Sequence, residues 1–124
     1  MSIALKRKII VSVWNNGKHY STGAGYGIKI RVKDRDAYFD KRWKYIVLIL
    51  KGKYDGIRVN IDKKSFWDHV CRELCHKEIG RWLRENFKIP WKKGRPYKLI
   101  MERVRNNRFK VMRRIDQCKN ITSF

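Results

Sequence analysis

The chain has 124 residues, 32 lysines and arginines against 11 acids, a formal charge of +21, and 43% hydrophobic and 13% aromatic residues. That length suits one domain, and the apolar content excludes a disordered chain. Like-charge repulsion on this scale calls for a compensating anion, and a long one with regularly spaced charges is the natural match.

The charge is not a tail: residues 1–62 carry 14 basic and 5 acidic side chains, and residues 63–124 carry 18 and 6. An anionic membrane would need an anchor. No lipidation motif is present, no apolar run approaches the roughly 18 residues of a membrane span, and Met1 to Lys8 does not read as a signal peptide. An intracellular place and no membrane partner are therefore expected. Cys71, Cys75 and Cys118 are odd in number, which argues against a disulfide framework.

Taken in order, Ile9, Val11 and Val13 fall on one face of a first strand, and Ile10, Ser12 and Trp14 on the other. Asn16-Gly17 signals a tight turn with a short return strand through Lys18–Tyr20, after which Gly23, Gly25 and Gly27 let the backbone bend again. Tyr26, Ile28, Ile30 and Val32 share a face of the next strand, and Asp34 to Phe39 predicts a short helix. Tyr45 to Leu50 is apolar on both faces, as in a central strand, while Ile57, Val59 and Ile61 alternate with Arg58, Asn60 and Asp62. Ser65-Phe66-Trp67-Asp68 resembles a capping box opening a long helix. Its apolar stripe would carry Trp67, Val70, Cys71, Leu74, Cys75, Ile79, Trp82 and Leu83, and it would end near Asn86. Two strands, Tyr97–Val104 and Arg108–Met112, follow about a turn at Asn106-Asn107. The expected order is β-β-α-β-β-α-β-β: a strand-rich α+β chain folded as a small, mostly antiparallel pseudobarrel. It forms one basic domain over residues 1–114, with a frayed tail at 115–124.

Several groups invite chemistry. Gly23-Ala24-Gly25-Tyr26-Gly27 feeds a strand, whereas a nucleotide-cradling loop opens a helix with a lysine and a hydroxyl residue. The better reading is an arm: Lys18, His19, Tyr20, Ser21 and Thr22 for phosphates, Asn15 and Asn16 for base edges, with Asn16 more simply a turn residue. Cys71 and Cys75, with His69 and His76 nearby, fit no standard zinc spacing and lie on the apolar stripe. Asp34, Asp36, Asp40 and Asp62 do not form the strand-borne set that a metal-dependent nuclease needs. Neither a catalytic residue nor a metal or other cofactor is expected. Trp67 and Trp82 read as core, while Trp14 and Trp91 stay open between core and base stacking. Arg72, Lys77, Arg81 and Arg84 on the long helix alternate with Glu73, Glu78 and Glu85, as on a solvated face.

The succession of elements from Ile9 to Met112 resembles the plant transcription-factor "B-three" DNA-binding pseudobarrel, whose prokaryotic relatives are the DNA-recognition domains of some restriction endonucleases. Ile79-Gly80-Arg81-Trp82-Leu83-Arg84-Glu85-Asn86-Phe87 looks like the family's glycine–tryptophan–hydrophobic–asparagine segment. Gly27-Ile28-Lys29-Ile30 looks like its second strand. The family's Gly-Asp before the penultimate strand is Gly94-Arg95 here. The resemblance implies two arms that grip the major groove, one at Asn15–Thr22 and one at Arg58, Asn60, Lys63 and Lys64. The expected partner is double-stranded DNA. RNA or single-stranded nucleic acid is the first competing class, and a metal-dependent nuclease or its accessory subunit the second.

Overall fold

A computed structural model describes residues 8–53 and 56–114. The elements run β1 (Lys8–Asn15), β2 (Tyr26–Lys29), α1 (Val32–Tyr38), β3 (Tyr45–Leu50), β4 (Ile57–Asn60), α2 (Lys64–Trp67), β5 (Glu73–Cys75), α3 (Lys77–Asn86), β6 (Lys98–Arg105) and β7 (Arg108–Arg113). One seven-stranded sheet has the order β4-β3-β7-β6-β1-β2-β5. Its edge strands β4 and β5 lie against each other, so the sheet nearly closes into a barrel. Every pairing is antiparallel except β3 with β7.

Alternation made the interior legible. Ile9, Val11 and Val13 are buried, while Ile10, Ser12 and Trp14 are only partly so. Ile28, Ile46, Leu48, Val59, Leu99, Met101, Phe109 and Val111 line the same core. Helix α3 plugs one end with Ile79, Trp82 and Leu83, and the Trp82 Nε1 donates to the Lys51 carbonyl at 2.8 Å. Aromatic rings fill the other end, where Phe39 stacks on Phe109 at 4.8 Å between ring centres and tilts against Phe66 at 5.5 Å.

The pairings set the direction of each connection. Odd-numbered strands all run one way and even-numbered strands the other. The β1–β2, β3–β4 and β5–β6 connections therefore leave at one end, with α3. The β2–β3, β4–β5 and β6–β7 connections leave at the other, with α1 and α2.

The expected long helix from Phe66 to Asn86 does not form, and the order gains a strand and a helix. Lys64–Trp67 is a single turn, with Ser65 inside it rather than at its cap. The Asp68 Oδ1 accepts the N–H groups of Val70 at 2.9 Å and Cys71 at 2.8 Å, turning the chain away from helix. Arg72 then takes a left-handed φ of 57°. Glu73, Leu74 and Cys75 pair with Lys29, Ile28 and Gly27, satisfying their backbone groups on β2 instead. Leu74 is buried in either arrangement, so spacing alone did not separate them. Cys75 consequently stands exposed on a strand, not on a helical stripe.

Two smaller expectations also change. The return strand Lys18–Tyr20 is absent: the β1–β2 ladder ends at Asn15 and Tyr26, and residues 16–25 form one long loop. Val32 opens α1 rather than extending β2. The expected tail at 115–124 lies outside the described residues.

Candidate nucleic-acid interface

The first arm is built by its own asparagines. The Asn16 N–H donates to the Gly25 carbonyl at 2.9 Å, closing the neck of the loop. The Asn15 Oδ1 accepts the Gly17 N–H at 2.8 Å, while its Nδ2 donates to the carbonyls of Gly25 and Lys18. Its amide is thus engaged within the arm. The Asn16 Oδ1 accepts the Lys18 N–H at 3.0 Å, the turn role expected of it. Gly17 sits at φ 99°, a conformation that glycine adopts without steric penalty.

Lys18, His19, Tyr20, Ser21 and Thr22 are all exposed beyond this neck. The His19 Nδ1 lies 2.7 Å from the hydroxyl of buried Tyr26, and Trp91 packs edge-on against both rings. The Arg81 Nε donates to the Thr22 carbonyl at 3.1 Å. Gly23 and Gly80 meet backbone to backbone. A Cβ on Gly80 would overlap the Gly23 carbonyl, and one on Gly23 would overlap the Lys77 carbonyl. The arm is therefore seated on α3 through Gly80 and Arg81, and against Tyr26 of β2 and Trp91 of the loop after α3. These supports carried no sequence signal as such, because each is identified by a contact across the fold.

The second group sits at the opposite end. Asn60 closes β4, and its Oδ1 accepts the Asp62 N–H at 2.9 Å. Lys63 and Lys64 follow, with Lys64 exposed. Lys41, Asp62, Lys63, Lys64, Trp67 and Asp68 line a groove of about 460 Å³. Buried Arg35 of α1 holds this connection in place, donating to the carbonyls of Phe66 at 2.9 Å and Asp68 at 2.6 Å. The Cys71 N–H is the main influence keeping the Asp68 carboxyl below its usual range. Arg58 departs from the group: its guanidinium lies over the Tyr45 ring at 4.6 Å and so leans toward β3, away from β5.

Between the two groups runs the seam of β2, β5 and β4. Trp14, Gly27 and Cys75 stand abreast across it, with the Trp14 ring leaning over Gly27. Lys29 pairs with Glu73 at 3.6 Å. Desolvation raises the Cys75 thiol above its ordinary range while the positive charge of Lys63 opposes it, and desolvation also raises Cys71. Both remain thiols at neutral pH.

Among the described residues, no three His, Cys, Asp or Glu side chains converge as a metal site. Asp34, Asp36, Asp40 and Asp62 each face a separate base: Arg31, Arg35, Arg42 and Lys44. His76 caps α3, its Nδ1 accepting the Glu78 N–H at 3.0 Å. No helix among the described residues is long and apolar enough to cross a membrane. Searches against family models, curated proteins and solved structures found no match to the chain.

Proposed function

We propose that the chain is a non-catalytic double-stranded DNA-binding protein that straddles the major groove with two basic loops. The observation that carries this reading is their position. Asn15–Thr22 and Asn60–Lys64 leave opposite ends of the β2–β5–β4 seam. Strands of this length extend about 10 Å at roughly 3.3 Å per residue, close to the ~12 Å width of a major groove. The charge of +21 supports the same reading, as does the resemblance to the B-three pseudobarrel.

Roles follow from chemistry. Lys18, Lys63 and Lys64 neutralise phosphates and release counterions, while Ser21, Thr22 and the arm's N–H groups add phosphate hydrogen bonds. The Asn16 and Asn60 amide nitrogens are the donors offered to base edges, since their oxygens serve the backbone. His19 positions the arm through Tyr26.

The test is duplex affinity against salt. The logarithm of the binding constant should fall linearly with log salt, by about 0.9 for each neutralised phosphate. A constant unchanged between about 50 and 200 mM salt sinks the reading. Tyr20, 48% exposed on the arm, favours a second reading, single-strand or RNA binding by base stacking. Competition among duplex DNA, single-stranded DNA and RNA decides between them. A nuclease would show magnesium-dependent plasmid cleavage that Asp36→Ala or Asp62→Ala abolishes.

A further inference from the structure

The β6–β7 hairpin carries charge that the proposed groove contact does not use. Arg105 and Arg108 are exposed and pair directly across the hairpin, where like charges repel. Val47 of β3 is in register with Arg108 on one side and Arg58 on the other. Arg58, Arg108 and Arg105 thus form a row across β4, β3, β7 and β6, about 14 Å long at roughly 4.8 Å per strand.

Among the described residues, no carboxylate pairs with any of the three. The ion pairs take Asp34, Asp36, Asp40, Asp62, Glu73, Glu78 and Glu85 elsewhere. Asp68 caps its own loop, and Glu102 lies between Lys8 and Lys110 in the ladder.

The row is also held in shape. Arg103, lying over the Trp43 ring at 5.4 Å, donates its Nε to the Asn106 carbonyl at 2.8 Å. The Asn107 Nδ2 donates to the Tyr45 carbonyl at 3.0 Å, tying the hairpin tip to β3. The Arg58 guanidinium lies over the Tyr45 ring at 4.6 Å, a cation–π contact that holds it on the β3 side of β4. Guanidinium forks carried on a braced hairpin suit phosphate oxygens.

Position decides which phosphates. In the order β4-β3-β7-β6-β1-β2-β5, β7 and β6 stand in the middle, on the wall farthest from the β4–β5 seam. Exposed Arg105 and Arg108 therefore stand on the wall opposite the seam, at the same end as the β4–β5 connection, while Arg58 on β4 stands at the seam itself. We propose that the β6–β7 hairpin, with Arg105 and Arg108 at its tip, is a second phosphate-backbone surface that takes a second DNA duplex. One chain then bridges two duplex segments. This inference rests on the duplex-binding reading above.

The test uses the full chain, one duplex immobilised on beads and a second, fluorescent duplex in solution. The wild-type chain should carry the second duplex onto the beads. Arg105→Ala with Arg108→Ala should lower that capture about tenfold or more, the loss of at least one charge-assisted contact. Affinity for a single short duplex should stay within about twofold. Arg105→Lys with Arg108→Lys should retain part of the capture by charge alone, and thermal melting checks that each variant folds. The inference is overturned if the wild type binds one duplex but captures no second, or if the alanine variant captures as well as the wild type. It is equally overturned if single-duplex affinity and capture fall together, because the arginines then belong to the first interface. A wild-type chain that binds no duplex overturns the duplex reading itself, and the bridge with it.

Discussion

Gly80 lies inside α3, where alanine would ordinarily stabilise a helix by about 1 kcal/mol. Here the added Cβ overlaps the Gly23 carbonyl, so overpacking outweighs propensity. Gly80→Ala is expected to destabilise the protein by about 2 kcal/mol in urea unfolding; a gain in stability would mean that the arm is not seated on the helix. Arg35→Lys keeps the charge but loses the fork that serves the Phe66 and Asp68 carbonyls. A loss of about 2 kcal/mol is expected in the same measurement. His76 has its pKa lowered from the ordinary 6.5, first by burial and then by the positive charges of Lys77 and Arg81, against the opposing pull of Glu78. The unfolded chain therefore takes up the proton first. The stability held by neutral His76 is complete above about 6.5 and is lost as pH falls from there through the lower folded value. His76→Asn keeps a cap oxygen for the Glu78 N–H and should flatten that slope in pH-dependent melting.

At the scale of elements, the arm and the β4–β5 connection are each held by a contact from elsewhere in the chain, Arg81 on Thr22 and Arg35 on Phe66 and Asp68. Ordered loops present their lysines without the entropy cost of freezing them on binding. Lys18→Ala should reduce the salt slope of duplex binding by about 0.9, and Lys63→Ala with Lys64→Ala by up to about twice that. A slope unchanged by either would remove that loop from the interface. The first loop was legible in the sequence from its polar and basic residues, and the second only through the resemblance to the B-three pseudobarrel. Their placement at opposite ends of one seam was not, because it depends on β5. That strand's Leu74 and Cys75 also fit a helical spacing, so periodicity alone does not reveal it.

For the whole molecule, one charge imbalance acts in two directions. Self-repulsion at +21 destabilises the compact state, and screening relieves it. Raising salt should therefore raise the melting temperature of the protein alone and, on the duplex-binding proposal, weaken its affinity for DNA. A melting temperature that falls with salt would mean that the described ion pairs outweigh the repulsion. Added duplex should raise the melting temperature at low salt, since a ligand bound only to the folded state stabilises it.

Strand alternation in β1, β2 and β4, the apolar run of β3 and the turn at Asn106-Asn107 were enough to specify a strand-rich, mostly antiparallel barrel-like fold, because side-chain period and turn chemistry are local properties. Net charge likewise followed from composition. Tertiary structure decided the rest. Asp68 and Arg72 broke the expected helix, and pairing with β2 made Glu73–Cys75 a strand. The arm consumed the Asn15 amide in its own construction. Arg58 turned toward β3 and joined Arg108 and Arg105, residues far apart in the chain that only the β4-β3-β7-β6 register aligns. Periodicity shows which face a residue occupies; only the closing of the sheet determines which distant residue stands beside it.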